Sequence, residues 1–172
     1  LALVKAYDVL RPLWAKRLYA EAAAEARTLP ARLDLRSVPD AANLLADDAQ
    51  ALVEFWHAVE AGAARLKPGE PIRVCGISSV FEKVEAGSIF ATQDAVTVGK
   101  PLKELSNDEL VSLACSAGGP RTGREHLRLA LFYLYTARPD PLKGRAQLAL
   151  AEDLGERAPA TEAGLLALWR AE

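Results

Sequence analysis

The sequence predicts an α+β fold, mostly α, in which helices flank a small antiparallel meander of three to four strands. Three observations carry this. Over most of the chain Ala, Leu, Glu and Arg dominate, and apolar residues recur at helical spacing. One stretch, 71–98, is instead rich in Val, Ile and Phe, which suit a pleated, half-buried surface. Ala86-Gly87 and Asp94-Ala95 inside that stretch, and Pro- or Gly-containing breaks on either side of it, divide the chain into short elements.

The first 28 residues read as helical: Leu3, Val4, Tyr7, Leu10, Trp14 and Leu18 share one face. Pro12 lacks an N–H and clashes with the preceding turn, so a helix start or a kink is expected there. "YAEAAAEARTLP" extends the helix to about Thr28, and Pro30 is expected to stop it. A connector with Leu33, Leu35 and Val38 follows. Pro39-Asp40 opens a second long helix, with Leu44, Leu45, Ala49, Leu52, Phe55, Trp56, Val59 and Ala63 as its stripe. "KPG" at 67–69 ends it.

Strands are expected at about 71–76, 78–85, 88–93 and 96–98. A lone hairpin is barely stable in water, so the meander needs a helix against it. Ser106-Asn107-Asp108-Glu109 matches a capping box, in which Ser and Glu satisfy backbone donors reciprocally. Helices are expected over 107–117, 124–136 and 142–154, the last closed by Gly155, and a short one over 160–171 with Leu165, Leu168 and Trp169. The segments are 1–66 (helices), 67–105 (meander) and 106–172 (helices), read as one compact unit.

With 172 residues the chain is long enough to bury a core unaided. A net charge of −2 with interspersed signs offers no basic face, so neither nucleic acid nor membrane is expected as a partner. No apolar run reaches the roughly 18 residues a membrane helix needs, and no signal peptide is read. The expected setting is cytoplasmic. A chain with no Met is expected to be part of something longer or a trimmed product.

Chemistry-bearing motifs are sparse. Cys75, Cys115, His57 and His126 are the only residues of their types, and none forms a close metal-ligand pair, so no metal and no cofactor is expected. Both thiols read as small buried hydrophobes, Cys75 in a strand and Cys115 on a helix. The carboxylates, among them Asp47-Asp48, Glu82, Glu85, Asp108-Glu109 and Glu152-Asp153, read as solvated surface, and no catalytic residue is assigned. Trp14, Phe55, Trp56, Tyr133 and Trp169 read as core. Gly118 to Gly123 has the spacing of a phosphate loop, but Arg124-Glu125 stands where Lys and Ser or Thr are required, and a helix precedes it where a strand should. What survives is an anion candidate: Arg121, Thr122, Gly123 and Arg124 at a helix start.

Residues 125–156 resemble one tetratricopeptide helix pair, with Leu131, Tyr135, Leu148 and Ala151 where that family prefers large, aromatic, large and small residues. Phe132 and Gly144 depart from the pattern. A wider likeness covers about 50–155. "ALVEFWHAVEAGAARLKPGEPIRV", "KPLKELSNDELVSLA" and "HLRLALFYLYTARPD" together are similar to a helix–strand–helix accessory module of modular bacterial proteins, some of them kinase-associated. That resemblance implies a non-catalytic attachment or regulatory unit whose partner is another protein or the rest of its own chain. The leading expectation is therefore an interaction or scaffolding module, marked by an exposed apolar patch on the helices after residue 120. The alternatives are a small-anion-sensing domain at Arg121–Arg124 and an enzyme of unrecognised type.

Overall fold

The computed structural model describes residues 2–32, 39–116 and 118–156. Leu33, Leu35 and Val38 of the expected connector, and the expected helix 160–171, lie outside the described residues. The elements are α1 (Ala2–Ala15), α2 (Tyr19–Arg32), α3 (Pro39–Arg65), β1 (Pro71–Val74), β2 (Ile77–Glu85), β3 (Ser88–Gln93), β4 (Val96–Pro101), α4 (Asn107–Ala114), α5 (Gly123–Tyr135) and α6 (Pro141–Asp153), with a 3-10 turn at Leu102–Glu104. The fold is α+β and mostly α, with helices flanking a four-stranded antiparallel sheet.

The contacts gather into two compact units. One holds the described residues up to Phe55 and from Arg121 onward; the other is Trp56–Pro120. This division differs from the three segments read from the sequence. Helices from the two ends of the chain share a core, whereas the meander keeps its own company, the end of α3 and α4.

In the first unit, α1 runs straight through Pro12. The break comes at Arg17, whose φ of 57° is left-handed. The Arg17 N–H donates to Trp14 O and the Leu18 N–H to Leu13 O, both at 2.9 Å, a Schellman closure that satisfies the last carbonyls of α1. Proline costs α1 only the bond to the Asp8 carbonyl; the closure five residues later, at Arg17, is what ends it. Likewise α2 continues past Pro30 to Arg32.

Tyr7, Leu10 and Trp14 of α1, Ala22, Ala26 and Leu29 of α2, Leu45, Leu52 and Phe55 of α3, and Leu127, Leu131 and Phe132 of α5 are all buried. Phe55 stacks on Phe132 with ring centroids 4.2 Å apart, and Trp14 on Tyr135 at 4.4 Å. Helices α5 and α6 form an antiparallel pair that touches at both ends. A Cβ on Gly123 would lie 2.6 Å from the Glu156 Cβ, and one on Gly144 would lie 2.6 Å from the Leu134 Cγ. Asp140 caps α6 by accepting from the Lys143 N–H at 3.1 Å, with Pro141 at the first helical position. Gly155, at φ 80°, closes it as expected.

In the second unit the strands lie in the order β1-β2-β3-β4, every neighbouring pair antiparallel. Each hairpin turns on two residues that both have positive φ: Cys75-Gly76, Ala86-Gly87 and Asp94-Ala95. These are type I′ turns, whose twist matches that of the strands. Cys75, expected inside a strand, is thus an exposed turn residue, because the first strand ends at Val74. Cys115 is half-buried at the end of α4. Val74, Phe81, Ile89 and Ala91 face inward. A bulge between Phe81 and Lys83 breaks the register, and Glu82 there accepts from the hydroxyls of Thr92 and Thr97. On the same sheet the Phe90 ring covers Gly99, where a Cβ would come within 2.6 Å of it. The end of α3 packs tightly on α4: a Cβ on Gly62 would lie 2.0 Å from the Leu113 carbonyl oxygen.

Candidate functional site

Arg121, Thr122, Gly123 and Arg124 open α5. Thr122 is its N-cap, accepting from the Glu125 N–H at 3.2 Å. Glu125 Oε2 in turn accepts from the N–H groups of Arg121 (2.8 Å) and Thr122 (3.0 Å). Those two bonds and a third from the Thr122 hydroxyl at 3.1 Å hold its carboxyl below the usual range, the Arg121 N–H first among them. The guanidinium of Arg124 forks onto Glu54, 3.0 Å from Nε and 3.1 Å from Nη2, and reaches Asp47 at 2.9 Å. The Glu54 bond is the chief reason its pKa is raised. An anion at this helix start would have to displace Glu125 from the backbone and draw Arg124 from two carboxylates. The signal for this second capping box was in plain view: Thr122-x-x-Glu125 repeats the pattern of Ser106-x-x-Glu109.

Two carboxylates expected on the surface are buried. Asp48 is fully enclosed. Tyr7 Oη donates to its Oδ2 at 3.0 Å, while Asp48 Oδ1, Trp14 Nε1 and the Tyr135 hydroxyl make no hydrogen bond of normal geometry among the described residues. Tyr7 and Tyr135 stack at 5.6 Å; burial chiefly pushes the Tyr135 hydroxyl above its ordinary pKa, and the neighbouring Tyr7 and Asp48 add to the rise. Loss of solvent lifts the Asp48 carboxyl to about 7, with Asp47 adding to the rise and the Tyr7 bond and Arg124 opposing it. Trp14 and Tyr7 seal this cluster at 0% and 1% exposure, so the carboxyl has a protonation equilibrium near neutrality but no opening to a substrate.

Glu109 is the other buried carboxylate. Its Oε2 accepts from the Ser106 N–H at 2.8 Å and its Oε1 from the Gly76 N–H at 2.9 Å. One side chain thus caps α4 and ties down the β1–β2 turn. It borders a groove of about 450 Å³ lined mainly by Leu66, Ile72, Ile89, Leu105 and Leu113, with Arg73 and Asp108. Glu109 already spends both oxygens on the fold, and Ser78, Ser112 and Ser116 also line the groove.

The outer face of α6 is a different kind of surface. Gly144, Leu148 and Ala151 are its buried side. On the opposite side Leu142, Leu150 and Leu154 are 82%, 43% and 54% exposed, with exposed Ala146 between them. The spacing of four places all of these on one ridge, and Lys143 on one side and Arg145 and Asp153 on the other flank it.

Among the described residues no three His, Cys, Asp or Glu side chains gather as metal ligands would. His57 is exposed, and His126 Nδ1 lies 2.7 Å from Gln147 Oε1 between α5 and α6. No helix among the described residues is long and apolar enough to cross a membrane. No protein-family model, curated protein or solved structure matches the chain.

Proposed function

We propose that the chain is a non-catalytic protein-interaction module and that α6 carries its docking face. The supporting observation is the ridge of Leu142, Ala146, Leu150 and Leu154, an apolar line with no partner among the described residues. Exposed leucines scattered singly need no explanation, but four apolar positions aligned along one helix do. The ridge spans roughly 18 Å at 1.5 Å per residue, a length suited to an amphipathic helix laid along it. The antiparallel α5–α6 pair and the helix–meander–helix order agree with the accessory modules and the tetratricopeptide-like pair that the sequence resembles. A reducing, cytoplasmic setting, in which Cys75 and Cys115 stay free, belongs to the same reading.

The test is selection of amphipathic helices from a displayed peptide library on the purified chain. Binders are expected to be lost on Leu150→Asp and kept on Arg124→Ala. A selection that yields no binder sensitive to Leu150→Asp removes the reading. A rise in melting temperature with phosphate, lost on Arg124→Ala, would favour anion sensing instead.

A further inference from the structure

β1 is an edge strand, and its outer side is unpaired. The Phe81 N–H donates to Glu70 O at 2.8 Å, and the register runs on through Ile72↔Ser79 to Val74↔Ile77. Alternation then turns the N–H and C=O of Arg73, and the C=O of Pro71, away from β2. Among the described residues none of these groups has a partner, and the Arg73 guanidinium makes no ion pair. The groove that Glu109 borders lies beside this strand: Pro71, Ile72 and Arg73 line it from β1, and Asp108 and Ser112 from α4. The bond from the Gly76 N–H to Glu109 ties the end of β1 to α4 and so holds the two walls in place.

We propose that β1 takes an extended segment of another protein as a fifth, antiparallel strand, and that this segment carries an acidic residue between two large apolar ones. Arg73 alone in β1 turns both an N–H and a C=O outward, because Pro71 has no N–H. One residue of an antiparallel partner answers both groups. That residue's side chain lies on the same face of the sheet as Arg73, so an acid there meets the unpaired guanidinium. The residues on either side of it point to the other face, that of Ile72, and enter the groove beside Ile89, Leu105 and Leu113. A second copy pairing through β1 would set Arg73 directly against Arg73, a like-charge pair, so a strand of different sequence is the occupant that fits. The four-residue length and Pro71 blunt the edge against a whole sheet, which limits the docked strand to a short one. This site is separate from the α6 face and does not depend on it.

Fluorescence anisotropy of a labelled, end-capped peptide, Thr-Thr-Leu-Glu-Leu-Thr-Thr, titrated with the full chain tests this. Saturable binding with a Kd of about 100 μM is expected for so small a contact. Methylating the backbone nitrogen of the peptide's Glu should weaken binding by about tenfold or more, because that N–H donates to Arg73 O, whereas methylating the nitrogen of the Leu after it should change binding by less than about twofold. Arg73→Glu should weaken binding of this peptide by about threefold or more and reverse the preference toward a peptide with Lys in place of Glu. Arg73 is exposed, so its replacement leaves the core intact, which circular dichroism confirms. Leu150→Asp should leave binding unchanged. No saturable binding up to about 1 mM overturns the proposal. So does binding indifferent to the methylated Glu or to Arg73→Glu. Binding lost on Leu150→Asp would put the peptide on α6 and overturn this proposal while leaving the α6 reading standing.

Discussion

At the scale of single residues, Asp48 is the group whose surroundings most change its chemistry. An unfolded aspartate titrates near 4, whereas burial holds this one at about 7. Between those values the folded chain binds more protons than the unfolded one. The stability that goes with the neutral carboxyl is therefore complete below about pH 4 and is lost as pH rises through about 7. Asp48→Asn keeps an acceptor for Tyr7 and removes the charge. Its melting temperature should fall less than that of wild type between about pH 5 and pH 8, and should exceed it at the alkaline end. An unchanged slope in the variant would place the proton elsewhere. Glu109 makes the opposite case, a buried carboxylate whose two oxygens are both engaged. Glu109→Ala orphans the Ser106 and Gly76 N–H groups and should cost about 2 kcal/mol in urea denaturation. Neither residue was legible as buried. Asp47-Asp48 and Asp108-Glu109 are acidic pairs, and which member turns inward depends on helix phase and on the neighbours it meets. A capping role for Glu109 could be read from Ser106, but the tie to Gly76 joins residues 33 apart in the chain.

At the scale of elements, the meander was the most legible part, because Val, Ile and Phe are concentrated between pairs of turn residues. Its turns were legible less evenly. Ala95 holds a φ of 65°, and Ala86 and Cys75 are left-handed as well, a conformation that costs a residue with a Cβ about 1–2 kcal/mol. Ala95→Gly relieves that strain, at the expense of some unfolded-state entropy, and should raise stability by about 0.5–1 kcal/mol in the same denaturation assay. Gly144 is the contrary position. It has no special φ, but its missing Cβ admits Leu134, so Gly144→Ala should cost about 1–3 kcal/mol through overpacking and loosen the α5–α6 pair. Helix ends misled where proline was weighed above capping: Pro12 and Pro30 both sit inside helices, and the backbone at Arg17 closes α1.

At the scale of the whole molecule, two cores mean two places to open. Phe132 is fully buried in one and Phe81, at 3% exposure, in the other. Phe132→Ala should raise hydrogen exchange first in α1, α5 and the first half of α3; Phe81→Ala should raise it first across β1–β4, each costing about 3–5 kcal/mol locally. Mass spectrometry of exchanged peptides reads this directly, and a uniform rise across the chain in both variants would show a single cooperative core. The division was hidden from the sequence because α3 carries one unbroken stripe. Nothing in a periodic run of apolar residues says that its first half meets α1 and α5 while its last turns meet a sheet and α4.

Local chemistry written along the chain was enough to determine the α+β class, the four strands and their order of appearance, the α4 capping box and the Gly155 stop, since each depends on residues within a few positions of one another. Tertiary structure alone decided that the described residues up to Phe55 pack with those from Arg121 to Glu156, that Arg124 spends its charge on Glu54 and Asp47, that Asp48 lies in the dark while Leu142 and Leu150 stand in solvent, and so where a docking face can be. Those outcomes depend on which faces meet. A pattern of period 3.6 tells a helix that it has an apolar side, and α6 has two; only the packed chain shows which of them the fold consumes and which it leaves open.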